Sequence, residues 1–177
     1  GQIGWFLASF VLGGALAQFP VGALADRFDR RWVLIWLSVA AILSSGLTVL
    51  SQGYGVEGVM CAAFIFGLTT FPIYSVAASH AHDFAENSER VELSAALMFF
   101  YALGAIAAPY LASRLIGSFG AGAMFSMIAV GHVALVIFGI ARMRARPAST
   151  DKTPYRYAPR TTFLIGRLMG RSRDKHN

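Results

Sequence analysis

Long apolar stretches separated by short polar turns fill the chain as far as residue 141. Five of these stretches contain no Asp, Glu, Lys or Arg, and they cover residues 3–24, 32–51, 58–79, 93–113 and 123–141. The first has 22 residues, which as an α-helix is about 33 Å long and matches the hydrocarbon core of a bilayer. The pattern therefore predicts an all-α, polytopic membrane protein with five transmembrane helices.

The turn between the first two predicted spans carries most of the charge near the start of the chain. Its charged residues are Asp26, Arg27, Asp29, Arg30 and Arg31. Counted over all turns and the tail 142–177, 14 Lys and Arg residues lie on the side of this turn and 1, Arg114, lies on the other side. Because cytoplasmic segments are enriched in Lys and Arg, we expect the turn and the basic tail 142–177 to be cytoplasmic.

The composition agrees with a membrane protein and changes the interpretation of the positive charge. Hydrophobic residues make up 56% of the chain and charged residues 14%, against about 25% charged residues in soluble domains. Most of the net charge of +6 comes from the last 36 residues. Since these follow an apolar stretch directly, the expected partner is the lipid bilayer with its anionic headgroups, not nucleic acid. Residues 162–173 of the tail favour a short amphipathic helix on the inner leaflet, or disorder.

Residues 22–31, GALADRFDRR, resemble the loop signature G-x-L-x-D-R-x-G-R-R of the major facilitator superfamily. The matching residues are Gly22, Leu24, Asp26, Arg27, Arg30 and Arg31, whereas Asp29 stands where the family usually has glycine. In that family the loop joins the second and third helices of each six-helix half. The resemblance implies that residues 1–141 are helices eight to twelve of the C-terminal half, with a missing N-terminal half as partner. An ordinary positive-inside turn is the alternative.

The resemblance also implies a function. It indicates a secondary transporter that moves a small-molecule substrate across a bacterial inner membrane by rocking-bundle alternating access. A non-transporting receptor or sensor on the same fold is the alternative. The sequence contains no phosphate loop, dinucleotide motif or catalytic Ser/His/Asp set, so we expect neither enzymatic activity nor a cofactor. The motif is expected to act as a conformational latch against the missing half, through Gly22, Asp26, Arg27, Arg30 and Arg31.

A second polar segment, residues 80–92, follows the third predicted span. Its acidic residues recur at every third position and are Asp83, Glu86, Glu89 and Glu92. We hypothesise that this stripe faces the three arginines of the motif and helps to close the inner gate; a solvated loop is the alternative. His80 and His82 precede the stripe, but residues two apart do not share a helix face, so we expect no metal site.

Candidate cavity-lining residues lie on the third and fourth predicted spans, which in the resemblance contribute to the transport pathway. They are Phe66, Thr70, Tyr74, Ser75, Met98 and Tyr101. Pro72 predicts a kink among the first four, because proline removes a backbone donor. A pocket of such side chains favours a moderately hydrophobic or amphipathic solute. Ordinary interhelical packing is the alternative.

Four further residues lie in the interior of the predicted spans. Gly13 and Gly14 lie in the middle of the first span, where small residues allow a neighbouring helix to approach closely. His132, inside the fifth span, is interpreted as a neutral packing residue, with a proton carrier as the alternative. Cys61 is the single cysteine of the chain, so no intrachain disulfide is possible.

The predicted orientation is tested by thiol labelling of intact cells that express the full-length protein with Cys61 replaced by alanine. A membrane-impermeant maleimide should label Gly53→Cys, in the turn between the second and third spans. It should not label Phe28→Cys, in the arginine-rich turn, until the membrane is permeabilised. Labelling of Phe28→Cys from outside would contradict the orientation.

Overall fold

The computed structural model describes residues 2–145, so the predicted amphipathic helix at 162–173 lies outside the described residues. The chain folds into five α-helices and one short 3-10 helix. They are α1 (Gln2–Arg27), α2 (Arg30–Leu50), the 3-10 helix (Ser51–Tyr54), α3 (Gly55–His82), α4 (Arg90–Phe119) and α5 (Gly122–Ala145). No strand occurs between residues 2 and 145. The all-α prediction is confirmed.

Four helical stretches are long and apolar enough to cross a membrane. They are Gln2–Arg27, Arg30–His82, Arg90–Phe119 and Gly122–Ala145. The second has 53 residues and contains α2, the 3-10 helix and α3, which run antiparallel. The start of α2 meets the end of α3 where Arg30 bonds to Ser79, and their middles meet where Ser44 bonds to Thr69. A polytopic membrane protein is confirmed, whereas its division into five spans and a tail stays a prediction.

Two glycines with positive φ end helical segments at the same end of the bundle. Gly55 (φ 73°) follows the 3-10 helix and starts α3, and Gly120 (φ 84°) caps α4. The N–H of Gly120 donates to the carbonyl oxygen of Ile116 at 2.9 Å. Because glycine has no Cβ, it adopts this left-handed conformation without steric cost. We call this end of the bundle the far end, and the end with the turn at 28–29 the motif end.

Helices α1 and α3 approach each other closely at three glycines, two on α1 and one on α3. A Cβ added at Gly67 would overlap the carbonyl oxygen of Phe10, and one added at Gly13 would overlap the carbonyl oxygen of Phe64. At Gly14 the added atom would overlap an aromatic ring of α3. The predicted close approach at Gly13 and Gly14 is confirmed. In lipid this packing matters because dispersion contacts, not hydrophobic burial, drive helix association.

A cluster of phenylalanine rings connects α1, α3 and α5 near this crossing. The Phe10 ring stacks on Phe66 with centroids 5.4 Å apart and meets Phe71 edge-on at 4.9 Å. Phe125 of α5 meets Phe66 at 5.5 Å and Phe6 at 6.4 Å. Edge-to-face and offset pairs of this kind add stabilisation beyond the area they bury. We call these five residues the phenylalanine cluster.

Helix α4 lies at the side of the bundle and packs mainly on α5. Of its residues only Ala112 is buried. Its contacts with α3 involve few side chains, among them Tyr74 with Tyr101 and His82 with Ser94. Helix α2, in contrast, packs on both α3 and α5. One wide face of α4 is therefore uncovered by the other described helices.

The glycine crossing generates a stability prediction. Gly67→Ala should lower the thermal unfolding temperature of the full-length protein in detergent, because the added methyl group forces α1 and α3 apart. Overpacking of this kind costs about 1–3 kcal/mol. Gly46→Ala is the matched control, since nothing lies within 4 Å of a Cβ added there. Equal unfolding temperatures of the two variants would contradict the close crossing.

Candidate functional site

The centre of the motif is the buried side chain of Arg30, the first residue of α2. Arg30 is only 9% exposed. Its Nη1 donates to the backbone carbonyl of Ser79 at 3.0 Å and forms an ion pair with Asp83, and its Nη2 lies 3.2 Å from Asp26 Oδ1. Its Nε is buried with no partner in the described part of the chain. One guanidinium thereby joins the end of α1, the start of α2 and the end of α3.

Asp29 lies in the short turn between α1 and α2, at the position where the family signature has glycine. It is the N-cap of α2, and its Oδ1 accepts the Arg31 backbone N–H at 3.0 Å. Its Oδ2 accepts from Arg31 Nη2 at 2.9 Å. These hydrogen bonds to the charged form hold the pKa of Asp29 below its ordinary value. Since the φ of Asp29 is −64°, the position does not need glycine, and an N-cap aspartate stabilises the helix instead.

The hypothesis of an acidic stripe that faces the arginines holds for one of its four members. Asp83, whose side chain is 7% exposed, pairs with Arg30. Glu86, Glu89 and Glu92 are exposed, and none of them forms an ion pair within residues 2–145. Helix α3 ends at His82, so the chain leaves the helical repeat directly before Asp83 and the later residues point to solvent.

The two histidines that precede the stripe have separate surroundings. The His80 ring meets the ring of Phe84 edge-on at 5.1 Å, and burial lowers the pKa of His80 against the opposing effect of Asp83. His82 Nε2 lies 3.4 Å from Ser94 Oγ of α4. Within residues 2–145 no group of three or more His, Cys, Asp or Glu side chains is arranged to hold a metal ion.

A cavity of about 550 Å³ opens between α1 and α3 at the motif end. Its lining includes Gln18, Gly22, Asp26, Arg30, Ser75 and Ser79. The hydroxyl of Ser75 donates to Gln18 Oε1 at 3.1 Å. Three motif residues thus line one cavity together with a candidate from α3, whereas Arg27 is exposed and has no ion pair among the described residues.

The other candidate cavity residues fall into two groups. Phe66 is buried in the phenylalanine cluster, and its backbone carbonyl accepts from Thr70 Oγ1 at 2.7 Å. Tyr74, Met98 and Tyr101 form an exposed group across α3 and α4. The Tyr74 hydroxyl lies 3.8 Å from Met98 Sδ, and the Tyr74 and Tyr101 rings are 5.3 Å apart.

Sequence reasoning missed Gln18 and Ser79 as partners in this site. The signal for Gln18 was present, because it is a polar residue inside the first predicted span, one helical turn before Gly22. Ser79 contributes its backbone carbonyl to Arg30, and a backbone contact leaves no trace in residue type. His132, inside the fifth predicted span, is half-buried in α5, and its Nδ1 has no partner among residues 2–145.

Comparison with known proteins places the chain in a family. The family model of the Major Facilitator Superfamily matches residues 1–173. The chain therefore belongs to this superfamily of membrane transporters, and its predicted resemblance is confirmed. No solved structure matches the chain.

Two relatives bear the name of uncharacterised MFS-type transporters. An MFS-type transporter of Yersinia enterocolitica is 31% identical over 154 residues, which cover 87% of this chain and 38% of the relative. The MFS-type transporter YcaD of Shigella flexneri is 33% identical over 128 residues, which cover 72% of this chain and 32% of the relative. The chain thus spans about a third of the length of the curated relatives it matches.

The surroundings of Arg30 and Arg27 predict that removing these two arginines has unequal effects on the stability of the protein. Arg30→Gln should destabilise the full-length protein by about 3–5 kcal/mol, because Asp83 stays buried without its partner. Arg27→Gln, which removes an exposed arginine of the same turn, should leave the unfolding temperature within about 1 °C of the wild type.

The double variant Arg30→Gln/Asp83→Asn separates pairing from packing. It should unfold at a higher temperature than Arg30→Gln alone, since no buried charge remains unpaired. Strictly additive effects of the two substitutions would show that the pair is not coupled. Thermal unfolding in detergent measures all variants.

Proposed function

We propose that the chain forms five of the six helices, eight to twelve, of the C-terminal half of a secondary transporter. The whole protein moves a small solute across a bacterial inner membrane by rocking-bundle alternating access, with the tail 142–177 in the cytoplasm. Membership of the superfamily and the transporter names of the relatives support this over a receptor or sensor. The excess of Lys and Arg on the side of the motif supports the orientation.

The observation that carries the proposal is the three-helix junction at Arg30. A half that rocks as one body needs its helices joined at the end where the pathway opens and closes. Arg30 supplies this joint, because a buried guanidinium holds its three partners with directional, charge-assisted hydrogen bonds. It ties the ends of α1, α2 and α3 together.

Asp26 is the residue of the motif suited to act as the latch. Its side chain is 33% exposed and makes one contact with Arg30 at 3.2 Å. A carboxylate has further acceptor positions, which remain for donors of the missing half. The latch closes when Asp26 accepts those donors and opens when the two halves rock apart. Gly22 lines the same cavity without a side chain, so a helix of the missing half can approach there.

The driving force of transport and its chemistry are inferred from the motifs and charges that the sequence of this chain lacks. The chain has no phosphate-binding loop and no set of catalytic side chains, so solute movement is driven by a gradient and involves no covalent step. No Asp, Glu, Lys or Arg lies inside the predicted spans. A coupling ion therefore uses residues of the missing half, or His132.

Transport is tested with proteoliposomes that contain the full-length protein and are incubated with a small-molecule cell extract under an imposed ion gradient. Mass spectrometry should find at least one solute that accumulates above the level in empty liposomes. At equal reconstituted amounts Asp26→Asn should lower its rate at least about tenfold, which corresponds to about 1.4 kcal/mol of lost latch energy. Glu57→Gln, at the far end, is the control and should transport normally.

Two outcomes of this experiment would contradict the proposal. Normal transport by Asp26→Asn would remove the latch role of the motif. If no solute accumulates under a gradient of either direction, the chain does not belong to a working transporter.

A further inference from the structure

A groove of about 600 Å³ lies at the far end of the bundle between α2, α4 and α5. Its lining is largely apolar and includes Val49, Leu115, Phe119, Ala123, Ser126 and Met127. The hydroxyl of Ser126 donates to the backbone carbonyl of Gly122 at 3.3 Å within its own helix, so it offers no free donor to the groove. The described lining contains no residue of α1 or α3. The groove is therefore separate from the cavity beside Arg30.

This groove opens on the outer surface of the bundle. Phe125 of α5 points inward, where its ring meets Phe66 and Phe6 of the phenylalanine cluster. Because successive residues of an α-helix are rotated by about 100°, Ser126 and Val130 lie on a face turned about 100–140° away from Phe125. Val130 is 69% exposed. In a bilayer this face borders the acyl chains, and an apolar groove takes up apolar groups in preference to water.

A single cationic residue adjoins the groove. Arg114 directly precedes Leu115 of the lining, and it is the one Lys or Arg that the predicted topology places on the far side. It is exposed and forms no ion pair within residues 2–145. Since Gly120 caps α4, Arg114 lies about 9 Å below the end of the helix. A guanidinium at this depth is stabilised when its side chain reaches a lipid phosphate at the interface.

The charges around Arg114 favour an anionic headgroup over a zwitterionic one. The predicted spans 93–113 and 123–141 contain no Asp or Glu, and the acidic residue of the far side, Glu57, lies at the start of α3, outside the lining. The positive group of a zwitterionic lipid would therefore meet Arg114 and no carboxylate of the groove. An anionic headgroup brings only the charge that the guanidinium binds, through charge-assisted hydrogen bonds to its phosphate.

We propose that the groove binds one anionic phospholipid. One acyl chain lies between α2, α4 and α5, and the phosphate accepts hydrogen bonds from the guanidinium of Arg114. The chain bridges α2 and α4, which do not pack on each other in the described part of the protein. Under the proposed orientation this lipid belongs to the outer leaflet, whereas the binding itself does not depend on solute transport.

A photoreactive lipid tests the proposal by the position of its acyl chain. The full-length protein in phosphatidylcholine nanodiscs receives a small fraction of phosphatidylglycerol with a diazirine at the end of one chain. After illumination, mass spectrometry of peptides locates the crosslinks. They should concentrate on the groove lining of α4 and α5 and saturate as the probe fraction rises. A phosphatidylcholine probe with the same chains should label the groove at least about fivefold less.

Substitutions on α4 and α5 assign the labelling to the charge and to the groove. Arg114→Gln should lower groove labelling by the phosphatidylglycerol probe at least about fivefold, whereas Arg114→Lys, which keeps the charge, should stay within about twofold of the wild type. Ala123→Phe should fill the groove and lower the labelling as much as Arg114→Gln. Ile137→Phe is the matched control, because Ile137 is an exposed residue of α5 outside the lining. Labelling of residues 32–36, at the motif end, is the internal standard for equal insertion.

Four results would overturn the proposal. They are equal groove labelling by the two probes, unchanged labelling in Arg114→Gln, unchanged labelling in Ala123→Phe, and no crosslink to the lining with either probe. The last result would show that protein and not lipid covers the groove. Because labelling needs no solute, normal transport by a protein without groove labelling rejects the lipid site alone. A labelled groove in a protein that moves no solute rejects the transporter alone.

Discussion

A buried arginine sets the arrangement of the motif end of the bundle. A guanidinium shielded from water is tolerated only with partners in place, and removing one partner leaves a buried charge that is expensive to keep. Arg30 finds its partners on two other helices, at Asp26, Asp83 and the carbonyl of Ser79. Because these contacts are directional, they fix how α1, α2 and α3 meet. The cavity beside them, lined by Gln18 and Ser75, takes its position from this junction.

The rest of the bundle is held by packing without charge, which suits helices in lipid. At the α1–α3 crossing, glycines bring backbones into contact, and the phenylalanine cluster extends this contact to α5. Helix α4 has no such interface with α3 and touches it through side-chain contacts that include those of Tyr74 and His82. The structure therefore combines a tightly joined set of helices with one helix whose surface is open.

Sequence reasoning worked where one physical signal dominates. Uninterrupted apolar stretches predicted the helices, because a backbone in lipid must satisfy its hydrogen bonds within the segment. The spacing of charges in 22–31 predicted the family, and Gly13 with Gly14 predicted a close helix crossing. The acidic stripe was less predictable. A period of three residues suggested one shared face, but α3 ends at His82, and only Asp83 is near enough to the helix to reach Arg30.

The sequence by itself determined that this is an all-α membrane protein of the Major Facilitator Superfamily with a charged turn between its first two helices. Hydrophobicity, length and charge are local properties that act the same way wherever a segment packs. Only the tertiary structure decided which side chains meet: Phe66 in a buried cluster, Ser75 with Gln18, and Tyr74 with Tyr101. These pairings depend on the crossing of separate helices, and residue type alone does not encode the distance between two faces.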